Sequence, residues 1–287
     1  FMGKPVEGAM KRVLEGNPLP QNNSQPNTTF PFVANLKNPE DYLFLQGRSH
    51  GSYSYPDLFV SMYKLGMSPE VEQANMHLGY QLQNSAKESN GRDFIGNINW
   101  KQALSTNLYL GGCTLDLRRF ADFLLLLKSG NAFDGNGRKV PESKLTEILD
   151  EIVTVKNPYR AEWLDADFKY LDQNSNPVDS NNPNSKLFIY SLHDLGSNGL
   201  VPIHRDILES CLMSKGSRIK LATMNDQGMP TETGNDFQYW CPDKDNKSVA
   251  RFVAYSDWAG LYCYWDPSYS IPSLGVRFCV PKARTQI

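Results

Sequence analysis

Hydrophobic and polar positions alternate cleanly near the end of the chain. From Gly260 to Asp266, Leu261, Cys263 and Trp265 fall on one face of an extended segment, with Gly260, Tyr262, Tyr264 and Asp266 on the other. A face carrying leucine, cysteine and tryptophan calls for a core, so the tyrosine face is expected to point outward. Pro267–Pro272 (PSYSIP) reads as a loop carrying Tyr269 and Ile271, and Leu274–Val280 as a closing strand with Val276, Phe278 and Val280 inward. Exposed tyrosines give contact area, few rotors and a hydroxyl tip, which suits recognition. The competing reading is that these rings pack under a neighbouring loop.

Upstream, the period lengthens. Leu117, Phe120, Phe123, Leu124 and Leu127 recur at helical spacing, with Thr114 as the expected cap, Asp116 in the first turn, Lys128 in the last and Ser129-Gly130 as the stop. Further helices are predicted from Tyr55-Pro56-Asp57 to Gly66, from Ser68-Pro69-Glu70 to about Leu82, over Glu142–Ile152, and over His204–Met213. Strands are predicted at Leu187–Tyr190 and Arg218–Thr223, and Trp163 and Phe168 are expected to anchor the second half. Asp172–Ser185 is a polar surface loop, and residues 14–40, rich in Asn, Pro and Gln, form an extended lead-in. Helices first and strands later predict an α+β chain: a lead-in over 1–40, a mainly helical part over 41–157, and a ligand-binding region over 158–287.

Composition narrows the function. With 29 basic and 31 acidic side chains and no basic run, binding driven by phosphate neutralisation is disfavoured, so no nucleic-acid partner is expected. The longest apolar run, Phe123–Leu127, is too short to span a bilayer, and no charged-then-apolar leader is visible. Cytoplasmic and partner-mediated surface locations stay open. The five cysteines, Cys113, Cys211, Cys241, Cys263 and Cys279, have no CxxC spacing, which favours buried thiols over a zinc site and leaves a Cys263–Cys279 bridge open.

Catalytic patterns are sparse. His50, His77, His193 and His204 form no HExxH or HxH pair, and Ser49-His50 lacks a nucleophile elbow. The Asp134-Gly-Asn136-Gly turn and the loop around Asp179 offer oxygens for calcium but lack the full ligand ladder, so solvated turns are expected. No cofactor is implied.

The tail VARFVAYSDWAGLYCYWDPSYSIPSLGVRFCVP, approached through FQYWCP and SVARF, resembles the variable region of diversity-generating retroelement target proteins, which end in a C-type lectin fold. In that family adenine-directed mutagenesis acts mostly at AAC codons, yielding Tyr, Ser, Asp, Gly, Ile and similar residues but never Trp, Lys, Glu, Gln or Met. Tyr255, Ser256, Asp257, Gly260, Tyr262, Tyr264, Asp266, Tyr269 and Ile271 all belong to the permitted set, and residues 251–281 hold no Lys, Glu, Gln or Met. The resemblance implies a C-type lectin fold of the formylglycine-generating-enzyme type over the second half, with a helical N-terminal elaboration. It also implies a hypervariable surface over about 251–281 that binds a protein ligand. Trp258, Trp265, Leu261, Val276 and Phe278 would be its fixed frame, Tyr262, Tyr264 and Tyr269 its anchors, and Asp257 and Asp266 would tune polarity against acidic partners.

Two alternatives come with the fold. Calcium-dependent lectins carry EPN or QPD with WND, none of which occurs here. Leu274-Gly275-Val276-Arg277 is similar to the closing strand of formylglycine-generating enzymes, so an oxidase using Cys263 and Cys279 is the enzymatic alternative. No neighbouring His or Lys in the sequence argues for an activated thiol there.

Overall fold

A mostly antiparallel sheet organises the second half of the chain in the computed structural model, which describes residues 36–282. Its order is β10 (Lys215–Ile219), β11 (Phe237–Trp240), β13 (Trp258–Trp265), β12 (Ser248–Tyr255), β7 (Arg160–Leu171), β8 (Lys186–Gly196) and β9 (Gly199–Ile207). The short β14 (Leu274–Gly275) pairs parallel with β7, and β11 pairs parallel with β13. The chain is therefore mixed and sheet-rich, with helices α1 (Pro69–Leu78), α2 (Trp100–Tyr109), α3 (Leu117–Lys128) and α4 (Glu142–Val153) among the described residues. Most of the predicted lead-in lies outside the described residues; residues 36–40 are its described end.

The sheet has a core on each face. On one side Phe120, Leu124, Leu145 and Ile148 of α3 and α4 join Leu164, Phe168, Phe252, Leu261 and Cys263. On the other, Ile98, Trp100, Ala103 and Leu104 join Trp163, Val249, Val253, Leu274 and Val276. The indole N–H of Trp163 donates to the Ile98 carbonyl at 2.8 Å, and that of Trp100 to the Leu164 carbonyl at 2.8 Å. These bonds satisfy the indoles' only polar groups inside the second core.

The N-terminal part is woven into this fold. β1 (Tyr42–Leu45), β4 (Leu58–Lys64) and the final strand β15 (Arg277–Pro281) form a three-stranded sheet, so the last strand is held by the first half of the chain. Residues 41–157 also contain two hairpins, β2 (Arg48–His50) with β3 (Tyr53–Tyr55) and β5 (Asn84–Lys87) with β6 (Asp93–Ile95), so the part is less helical than expected.

Two predicted helices do not form. Over Tyr55–Gly66 the decisive pattern is period two: Leu58, Val60, Met62 and Lys64 are buried, while Ser61 and Tyr63 are half-buried. Pro56, read as a first helical residue, lies between β3 and β4. The first part of His204–Met213 belongs to β9, a sheet edge, and the rest is irregular. An edge position tolerates Pro202. Three other boundaries shift. Asp116, rather than Thr114, caps α3, its Oδ1 accepting from the Arg119 N–H at 2.9 Å. Helix α1 stops at Gly79 (φ 71°) before Leu82. The strand expected at Arg218–Thr223 is β10, which lies earlier.

Candidate ligand-binding site

The β12–β13 hairpin closes through Ser256 and Asp257, with Tyr255 opposite Trp258. Ser256 takes a left-handed φ of 58°, so the two-residue turn projects from the sheet with Tyr255, Ser256 and Asp257 all exposed. Past β13 the chain turns at Asp266, whose carboxylate accepts from the Ser268 N–H at 2.8 Å and the Ser268 hydroxyl at 2.7 Å. The loop then runs back across the sheet. Its Pro267 and Ile271 carbonyls accept from the N–H groups of Trp100 (3.1 Å) and Asn97 (2.7 Å). A Cβ on Gly96 would meet the Pro272 carbonyl oxygen at 1.8 Å, so glycine there lets the two backbones touch.

Aromatic rings join hairpin and loop into one array. Tyr255 meets Tyr159 edge-on at 4.8 Å, and burial, with Tyr269 close by, pushes the Tyr159 phenol up to about 12. Tyr269 contacts Trp265 at 5.2 Å, Trp265 contacts Tyr264 at 5.2 Å, and Tyr264 stacks on Tyr262 at 5.9 Å. Trp240 closes the line against Tyr262 at 4.3 Å. Tyr159 and Trp240 were not singled out from sequence. Tyr159 lies far upstream of the tail, and only strand pairing places it beside Tyr255.

The structure redistributes the sequence candidates. Tyr255, Ser256, Asp257 and Asp266 are exposed; Tyr264, Tyr269 and Ile271 are half-buried. Tyr262, expected outward, retains only 8 % exposure because Trp240, Tyr264 and Arg251 surround it. The packed alternative therefore describes Tyr262, and the exposed reading describes the hairpin tip.

Gly260 is buried, and a Cβ there would approach the Tyr262 ring at 2.8 Å and the Gln238 carbonyl oxygen at 2.9 Å. Gly260→Asn is expected to destabilise the fold by about 1–3 kcal/mol through overpacking. Ser256→Asn, at a left-handed turn position that asparagine tolerates, should change stability by less than about 0.5 kcal/mol. Chemical unfolding of the two variants measures the contrast.

The fixed frame also differs from expectation. Leu261 and Val276 are buried, but Trp258 is 41 % exposed and lies against the Arg218 guanidinium at 4.3 Å. Trp265 lies with the tyrosines rather than beside Cys263. Arg251 and Val249 face Tyr262 and Trp265, so three steps on β13 match two on β12, and this bulge resets the alternation. In β15 it is Arg277 and Cys279 that point inward, leaving Phe278 and Val280 half-buried. The chain changes sheets after Gly275, and the inward Arg277 is paired with Glu162 at 3.1 Å.

The remaining polar candidates are occupied by local structure. His50 Nε2 lies 2.7 Å from Asp122, which also accepts from the Tyr55 hydroxyl at 2.5 Å and from Arg118 at 2.7 Å. His193 is held by Asp165 at 2.5 Å and meets Trp100 edge-on. His204 pairs with Asp206 at 3.0 Å, and His77 packs on Tyr109. Asp134 accepts from the N–H groups of Asn136 and Arg138, each at 2.9 Å, and Asp179 accepts from the Asn181 N–H at 2.7 Å. Among the described residues no group of three or more His, Cys, Asp or Glu side chains is arranged to hold a metal ion. The cysteines are free thiols, and the sulfur nearest Cys279 belongs to Cys113, at 2.9 Å, rather than to Cys263. Burial drives the Cys263 and Cys279 thiols well above their ordinary value.

Comparison with known proteins returns no match: no family model fits the sequence, and neither a curated protein nor a solved structure is recognisably similar. No described helix is long and apolar enough to cross a membrane.

Proposed function

We propose that the chain is a ligand-binding protein whose C-terminal part, a C-type lectin-like region of the formylglycine-generating-enzyme type, displays a surface diversified by a retroelement toward protein ligands. One observation carries this reading. Tyr255, Ser256, Asp257, Tyr264, Asp266, Tyr269 and Ile271 lie on one hairpin and one loop, in an array of touching rings, on backbone fixed by strand pairing and by bonds from Asn97 and Trp100. Such a platform lets exposed side chains change while main-chain bonds hold the fold. Its part-exposed tyrosines bind with little loss of rotamer freedom. Asp257 and Asp266 sit at the exposed rim, where they tune charge. A protein contact here would bury about 1,200 Å² or more in total.

The oxidase alternative draws little from the site. Cys263 and Cys279 are both fully buried, and a buried thiol disfavours the thiolate such chemistry needs.

Sequencing the locus tests the proposal. An imperfect repeat of the segment encoding 251–281, with adenines opposite the codons for Tyr255, Ser256, Asp257, Tyr264, Asp266, Tyr269 and Ile271 and beside a reverse transcriptase gene, is expected. Absence of such a repeat overturns the diversified reading. On the protein side, replacing Tyr255, Ser256 and Asp257 together by alanine should move stability by no more than about 0.5 kcal/mol per site. A larger loss in thermal unfolding would make the tip part of the frame.

A further inference from the structure

We infer that Arg251 is a carboxylate receptor at the centre of the aromatic array, and that the ligand brings the acidic group. The inference rests on the binding reading above and names the chemistry that the same surface recognises.

Arg251 differs from the other buried arginines among the described residues. Arg118 is paired with Asp122 at 2.7 Å, Arg119 with Asp116 at 3.4 Å, Arg160 with Glu151 at 2.7 Å and Arg277 with Glu162 at 3.1 Å. Arg251 is equally buried, at 4 % exposure, yet no acidic side chain pairs with it among the described residues. Its Nε and Nη1 are buried without a hydrogen-bond acceptor. A guanidinium taken out of water without a counter-ion is costly, and a protein that needed only packing at this point could place a neutral side chain there.

What surrounds Arg251 is aromatic. The guanidinium lies 3.4 Å from the Trp265 ring centre, 5.3 Å from Tyr269 and 5.9 Å from Tyr262. Ring faces stabilise the cation without using its in-plane donors, so the hydrogen-bonding edge remains available to an acceptor. The Trp265 indole Nε1 is likewise buried and unpartnered, which adds a second donor. Burial draws the guanidinium below its ordinary value, opposed by the surrounding tyrosines. Trp265 and Tyr269, the rings against Arg251, are themselves half-exposed, so the array reaches the surface beside the guanidinium.

A carboxylate fits better than a phosphate. Planar, singly charged and matched to the guanidinium fork, it needs one cation. The lysine that reaches the array, Lys215 over the Tyr264 ring at 5.7 Å, is already paired with Asp243. Asp257 and Asp266 at the exposed rim would repel a polyanion while leaving a single acidic side chain or a chain terminus acceptable.

The probe is benzoate, whose ring suits the tyrosines and whose carboxylate suits Arg251, with benzamide as its neutral counterpart and inorganic phosphate as the competing anion. In arginine-¹⁵N-labelled protein the Arg251 Nε–H resonance, set apart by the ring current of Trp265, is followed at constant ionic strength. Benzoate should shift it saturably, benzamide should bind at least about tenfold more weakly, and Arg251→Gln should abolish the response. Arg251→Lys, which keeps the charge but loses the fork, should weaken it and serves if the glutamine variant does not fold. No saturable shift, equal binding of benzamide, or tighter binding of phosphate overturns the inference. An acidic peptide and a peptide with a free C-terminal carboxylate and no acidic side chain then separate the two protein sources of the group. The outcome is independent of the locus: a missing repeat with a positive benzoate titration removes the diversified reading alone, and the reverse removes the carboxylate receptor alone.

Discussion

Replacing Arg277 by methionine should lower the unfolding free energy by about 3–5 kcal/mol, because it strands the charge of Glu162 in the core. Arg277 and Glu162 are each 2 % exposed. Nε and Nη2 of Arg277 donate to the two Glu162 oxygens at 3.1 and 3.4 Å, and Nη1 donates to the Ser61 carbonyl at 3.0 Å. One guanidinium thus joins β15, β7 and β4 at the point where the chain leaves the large sheet for the small one. The double variant Arg277→Met/Glu162→Met removes both charges and should recover most of the loss. Urea unfolding of the two single variants and the double variant gives the coupling directly. A loss under about 1 kcal/mol in Arg277→Met would mean that Lys64, which also senses Glu162, takes over the pairing.

Arg277 also marks where sequence reading reached its limit. An arginine between Val276 and Phe278 looks like the solvent face of a strand, and hydropathy alone assigns it outward. Only the partner Glu162, 115 positions away, makes the inward position tenable. The same holds at Trp265. Strict alternation puts it beside Leu261 and Cys263, but the bulge in β13 moves it to the tyrosine face, and a bulge is written in the pairing rather than in the strand itself.

Other parts were legible because their signals are local. The apolar stripe of α3, the polar loop over 172–185, the start of α1 and the span of α4 follow from spacing, caps and turn residues within a few positions. Helix α2 carried such a signal that went unread: Asn99 and Gln102 form a reciprocal capping box, bonded at 2.9 and 3.1 Å. β4 was misread because its buried Phe59 breaks the alternation of Leu58, Val60 and Met62, and Phe59 packs into a separate small core with Leu36 and Phe44. For the candidate site, the sequence singled out the residues that prove to form the hairpin tip and also the loop after Asp266, while the hairpin itself and the burial of Gly260 and Tyr262 depended on strand pairing with Gln238 and Trp240 nearby.

Acid should remove about 3 kcal/mol of stability through Glu151 alone. Its carboxylate accepts from Lys156 at 2.6 Å, from the Ser89 hydroxyl at 2.6 Å and from Arg160 at 2.7 Å, so α4 is tied both to the 88–91 turn and to the start of β7. Burial opposes ionisation, but these donors outweigh it and pull the folded-state carboxyl from 4.5 down to about 2. Because the folded value is the lower one, the unfolded chain takes up the proton first as pH falls. The contribution is therefore complete above about pH 4.5 and disappears as pH drops toward 2, and a displacement of that size corresponds to about 3 kcal/mol. Glu151→Gln should flatten this part of the stability profile between pH 5 and 2 while lowering stability at pH 7. Urea unfolding across that range, in the parent and the variant, measures both effects. Identical slopes in the two proteins would assign the acid sensitivity to other carboxylates, Asp122 foremost, whose contacts with Tyr55, Arg118 and His50 also hold it below its ordinary value.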